Sequence, residues 1–144
     1  MTQGKVLFAT DFSESSEMAL AQVRAFAAAQ NASILAVHVL SVPSSTTGEG
    51  MLHHGTAFDS QETAERKLRA VSDALGDIPH ETRLLRGDPA DEILKVATTE
   101  GVSMIAMGTV GRTGISRLLL GSVAEEVMRK AQCPVLTLRH VPKR

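Results

Sequence analysis

Five short stretches carrying Val, Ile or Leu recur along the chain, at residues 6–9, 34–40, 82–85, 104–107 and 135–138. Each reads as a strand. The first, second and fourth are continuous rather than alternating, the pattern expected of strands covered on both faces by helices. Between them lie four segments with helical spacing. Residues 14–30 carry Met18, Ala21, Ala25, Ala28 and Ala29 at that spacing, and residues 60–75 place Ala64, Leu68, Val71 and Leu75 on one stripe. Residues 89–100 group Ile93, Val96 and Ala97, and residues 122–132 group Ala124, Val127, Met128 and Ala131.

Two helix starts are marked by their local chemistry. Asp88-Pro89-Ala90-Asp91 offers an N-cap acid, proline at the first helical position and a second acid in the first turn. Ser122-Val123-Ala124-Glu125 has the spacing of a capping box. The order β-α-β-α-β-α-β-α-β predicts a single-domain α/β protein, with a mostly parallel sheet and right-handed crossovers. One segment breaks the rhythm: residues 41–57, rich in Ser, Thr and Gly, read as a long flexible loop after the second strand.

Composition narrows the function. The 144 residues suit one domain with an unstapled core. With no Trp, no Tyr and four Phe, the chain lacks the aromatic platforms on which single-stranded nucleic acids stack. Fifteen Lys+Arg against sixteen Asp+Glu leave a net charge of -1, without the basic excess of a duplex binder. No nucleic-acid partner is expected. Nor is a membrane: the first apolar run is too short for a signal-peptide core, and no stretch nears the ~20 residues that span a bilayer. Cys133 is the one cysteine and has no internal partner, which fits a reducing, cytoplasmic setting. No basic residue beside it would activate a thiolate. His38 lies inside the second strand and reads as packed. His53-His54 lies on the long loop without a Cys or acid at ligand spacing.

In an open parallel sheet, ligands bind beyond the carboxyl ends of the strands. Two groups of residues stand there. Thr10-Asp11-Phe12-Ser13 follows the first strand, and Asp11 is suited either to a ribose hydroxyl or metal ion, or to capping the next helix. The second group follows the fourth strand, from Gly108 through Gly111, Arg112 and Gly114 to Gly121 and Ser122. Glycines let backbone amides approach an anion closely. Gly121-Ser122 opens a helix, whose free amides and dipole attract phosphate. Residues 101–124 contain no Asp or Glu but include Arg112 and Arg117, which makes this face locally positive. Phosphate binding is the reading on which these features converge. There is no G-x-x-x-x-G-K-[ST], which excludes a P-loop, and no G-x-G-x-x-G after the first strand, which disfavours an ordinary dinucleotide fold. The acidic pair and lysine of a phospho-receiver domain are also missing.

These residues resemble a known family. Gly108-x2-Gly111-x9-Gly121-Ser122 matches the G-x2-G-x9-G-[ST] signature of the universal stress proteins in their ATP-binding branch. The stretches at residues 6–13, 87–93 and 133–136 are similar as well, though this chain has Ala9 where many members have proline. The resemblance implies a five-stranded parallel sheet in the order 3-2-1-4-5, with ATP, accompanied by Mg²⁺, at the reversal between strands one and four. It further implies that Asp11 holds the adenosine side and that the backbone near Val39 lines the adenine pocket. Gly108, Gly111 and Arg112 would wrap the ribose and phosphates, Gly121, Ser122 and Val123 would hold the phosphate chain, and Thr10, Met107 and Gly114 would belong to the same nucleotide site. Members commonly dimerise through their last strands. Here that strand is Val135–Leu138, whose apolar edge would otherwise be open to solvent.

No residue reads as a catalyst of hydrolysis, since the glycine loop lacks a Lys or Glu placed to activate water. The leading expectation is a nucleotide-dependent regulatory protein of the stress response. Two alternatives stay open: a slow ATPase or autophosphorylating enzyme using Ser122 or Ser116, and a nucleotide-free dimeric scaffold.

Overall fold

The computed structural model describes residues 3–41, 60–109 and 121–139. The elements run β1 (Lys5–Ala9), α1 (Glu14–Gln30), β2 (Ser33–Ser41), α2 (Gln61–Leu75), β3 (His80–Gly87), α3 (Pro89–Glu100), β4 (Met104–Gly108), α4 (Ser122–Lys130) and β5 (Val135–Leu138). All four strand pairings are parallel, and the sheet order is β3-β2-β1-β4-β5. This is the expected single-domain architecture. Ser41 ends β2 rather than opening a loop, and β3 extends beyond the apolar run at both ends. The rest of the segment 41–57, with His53 and His54, lies outside the described residues. No helix among the described residues is long and apolar enough to cross a membrane.

Successive strand residues point to opposite faces, so each central strand feeds two cores. Leu7, Leu35, Val37 and Ile105 join Ile93, Val96, Ala97, Ala124 and Val127, which puts α3 and α4 on one face. Val6, Phe8, Ile34 and Ala106 join Ala19, Leu20, Val23, Ala27 and Leu75, which puts α1 and α2 on the other. That is the reason β1, β2 and β4 read as unbroken apolar runs.

Helix α1 corrects the sequence reading. Its buried residues are Ser15, Ser16, Ala19, Leu20, Val23 and Ala27, whereas Ala21, Ala25, Ala28 and Ala29 face solvent with Met18, which is 37% exposed. The helix carries alanine around most of its circumference. Rotating Leu20 and Val23 inward buries larger side chains than an alanine stripe does. Helix α4 ends at Lys130, and its Met128 is 44% exposed rather than packed. Helices α2 and α3 bury the residues that their spacing predicts, with Val71 half-buried. Asp88 caps α3, accepting from the Asp91 N–H at 3.0 Å.

An ion-pair cluster ties the amino end of the sheet together. Glu100, the last residue of α3, accepts from Lys5 Nζ at 3.1 Å and lies 3.5 Å from Arg83 Nη1. The Lys5 hydrogen bond and the Arg83 charge hold the Glu100 carboxyl below its ordinary pKa. Arg83 is raised in turn, chiefly by its hydrogen bond to Glu81.

Three substitutions test this frame. Leu7→Ala, at a fully buried position of the central strand, should cost about 3–5 kcal/mol in chemical denaturation. Met128→Ala should stay within about 0.5 kcal/mol. Glu100 has a depressed folded pKa, so its contribution is present above the unfolded carboxylate range and is lost as pH falls through the folded value. Glu100→Gln should therefore be less stable than wild type at neutral pH, with the two curves converging in acid.

Candidate functional site

The strand order reverses at β1, whose neighbours β2 and β4 lead away in opposite directions. Ala9 is in register with Val37 on one side and Met107 on the other. Thr10 and Asp11 thus leave the sheet beside Gly108, at the carboxyl ends of the strands. Val39 and Met107 are buried in the same apolar cluster, and Val123 packs against it from α4. The ends of the glycine-rich connection are drawn together: Thr109 N–H donates to Leu138 O at 3.0 Å, and Gly121 N–H donates to Thr109 O. Thr10, Asp11, Val39, Met107, Gly108, Gly121, Ser122 and Val123 therefore gather at one end of the sheet. Gly111, Arg112 and Gly114, as well as Ser116 and Arg117, lie outside the described residues.

The turn after β1 is tightly bonded. Asp11 Oδ1 accepts from the Ser13 N–H at 3.0 Å and from the Ser16 hydroxyl at 2.8 Å. Phe12 N–H donates to Thr10 Oγ1 at 3.0 Å, and Phe12 has φ +64°, a left-handed conformation costly for an aromatic residue. Asp11 does not cap α1. The N-cap is Ser13, whose hydroxyl accepts from the Ser16 N–H at 3.2 Å. The hydroxyl immediately before the helical run was the available signal for this. The Asp11–Ser16 bond had none, because it depends on how α1 docks.

Ser122 is not an N-cap either. That position belongs to Gly121, which makes no side-chain cap bond, and Ser122 is the first helical residue. The consequence is chemical: among the described residues no side chain accepts from the first-turn amides of α4, an arrangement in which the positive end of the helix can face an anion. Ser122 and Val123 border a hollow of about 330 Å³ with Asp88, Ala90, Glu125, Glu126 and Arg129. A larger one, of about 670 Å³, lies at the opposite end of the strands beside Cys133. Burial holds that thiol above its ordinary pKa, the reverse of what a nucleophile needs.

Gly108 is required by packing. A Cβ there would lie 2.8 Å from Ser15 Oγ and 3.3 Å from the Ser15 backbone carbonyl. Ser15 Oγ is itself buried with no hydrogen-bond partner among the described residues. The missing side chain lets the first turn of α1 press against the end of β4.

An open, all-parallel α/β sheet with residues converging at its switch point defines a class of small ligand-binding domains. The match to the universal stress protein family spans residues 3–139, so the chain belongs to that family. Universal stress protein MJ0577 of Methanocaldococcus jannaschii is 32% identical, covering 94% of each chain. Its solved structure aligns with a TM-score of 0.80 over 99% of this chain and 100% of that one. A Thermus aquaticus universal stress protein is 36% identical, covering 93% of this chain and 97% of its own. A universal stress protein solved in complex with cAMP is 27% identical, with a TM-score of 0.73 over 96% of this chain and 98% of that one.

The contact at Gly108 predicts a non-additive pair. Gly108→Ala should destabilise by about 1–3 kcal/mol through overpacking. Ser15→Ala should be neutral or slightly stabilising, because it removes an unsatisfied hydroxyl. The double variant should recover part of the Gly108→Ala loss in a denaturation cycle.

Proposed function

We propose that this protein binds ATP, with Mg²⁺, at the carboxyl ends of β1, β2 and β4, and acts as a nucleotide-dependent regulatory protein of the stress response. The observation that carries this reading is the uncapped start of α4 at Gly121, drawn by the Gly121–Thr109 bond to the end of β4. A glycine N-cap offers backbone amides and the helix dipole with no competing side chain, the arrangement suited to a phosphate chain. The acid-free stretch 101–124 adds favourable potential. Val39, Met107 and Val123 supply the aliphatic wall that base recognition needs in a chain without Trp or Tyr. Asp11 is suited to the ribose or to the metal: its described side-chain bonds all fall on Oδ1, while Oδ2 has no partner among the described residues. The relative solved with cAMP supports an adenine nucleotide as the ligand class.

Gly108, the last residue of β4, belongs to the proposed site, and so do Gly111, Arg112 and Gly114 from the sequence after it. A regulatory role is favoured over an enzyme, because the glycine-rich connection between residues 108 and 121 carries no Lys or Glu to activate water. We further propose that the protein is a cytoplasmic homodimer pairing through β5. This edge strand has four residues, all half-buried, and its open side would accept a second copy.

The test is to denature freshly purified protein, identify any released nucleotide by mass, and compare Gly121→Val. The variant should lose ATP binding, because its side chain fills the space the phosphate needs, while its circular dichroism and elution volume stay those of wild type. Wild type that releases no nucleotide and shows no thermal shift with Mg-ATP overturns the reading.

A further inference from the structure

We infer that His38, from β2, is a positioning residue for the nucleotide site, orienting the Thr10–Asp11 peptide; this inference rests on the nucleotide reading of that site. His38 stands in the longest apolar strand and is only 8% exposed. An aliphatic residue would pack there at lower desolvation cost. The imidazole does something an aliphatic residue cannot: its Nδ1 lies 2.8 Å from the Thr10 carbonyl oxygen. A carbonyl has no proton to give, so Nδ1–H is the donor and the tautomer is set by this contact. The other side of the same peptide unit is also held, by the Asp11 N–H donating to Ser16 Oγ at 3.4 Å. Fixing both the carbonyl and the amide of one planar unit fixes its rotation, and with it the direction in which Asp11 leaves the backbone.

Two further contacts keep the clamp in place. The Phe12 ring lies 4.3 Å, centroid to centroid, from the His38 ring, and Lys67 Nζ of α2 sits 5.5 Å from the Phe12 centroid. Phe12 reaches the imidazole because its φ of +64° turns the chain sharply after Asp11. The strained residue, the buried imidazole and the aspartate are thus parts of one device, supplied by the turn after β1 and by β2. Asp11 contributes an oxygen to the ligand, and His38 decides where that oxygen points.

Two substitutions separate the ring from its proton. His38→Phe keeps a ring against Phe12 but has no donor. His38→Asn loses the ring but carries an N–H close to where Nδ1 stood. ATP affinity is measured by titration calorimetry alongside each protein's melting temperature. Deleting one net hydrogen bond should weaken ATP binding about two- to twelvefold in His38→Phe. His38→Asn should bind within about twofold of wild type, even if it melts lower. Should the phenylalanine variant not melt cooperatively, His38→Leu takes its place. Affinities that follow the melting temperatures rather than the donor would make His38 a packing residue and overturn the inference, as would wild-type affinity in His38→Phe. Wild-type protein that binds no ATP overturns the nucleotide reading itself, a distinct result.

Discussion

The double burial of β1 is the constraint on which the rest of the molecule depends. Its residues alternate between two apolar cores, with Leu7 and Phe8 both inaccessible to solvent. A strand in that position must have helices above and below and parallel neighbours on both sides, since short connections cannot return the chain on the same face. The strand order reverses at β1, and the reversal leaves a crevice at its carboxyl end. Everything of chemical interest is placed by that crevice: the turn at Thr10–Ser13, the end of β4, and the start of α4.

Polar order at the crevice is built from backbone groups and small side chains rather than from charge. Asp11 is held by an amide and a hydroxyl, Thr10 by an imidazole, and α4 opens on a glycine. Such bonds act over short distances and depend on orientation, so they survive salt and set geometry better than surface ion pairs do. The largest described ion-pair cluster lies elsewhere. Lys5, Arg83 and Glu100 join β1, β3 and the end of α3, where they offset an acid at an unfavourable helix terminus. A further pair, Lys130 with Glu126, lies within α4.

The periodicity of the chain made the elements and their order legible, since runs of four to seven apolar residues can hide only inside a two-sided sheet. Local chemistry marked Asp88 as a cap, whereas the helix start for which Asp11 was weighed is capped by Ser13. The inward face of α1 was not legible: alanine around most of its circumference leaves only the packing of Leu20 and Val23 to select a side. Ser122 had capping-box spacing, yet it is the preceding glycine that stands at the N-cap. The spacing is compatible with helix starts one residue apart, and the pull of Thr109 on Gly121 belongs to the tertiary structure. Gly108 read as backbone opened toward an anion. Its closest demand comes instead from Ser15, a residue 93 positions earlier in the chain.

By itself, then, the sequence determined the two-layered burial, the parallel sheet, the family, and the residues that follow the strands, because these rest on local spacing and on hydrophobicity. Tertiary structure alone decided which face of α1 turns inward, that Asp11 is braced by Ser16, and that His38 meets the Thr10 carbonyl. Those contacts join residues from different elements, and their distances are set by the docking of helices onto the sheet. No pattern along the chain encodes that docking one residue at a time.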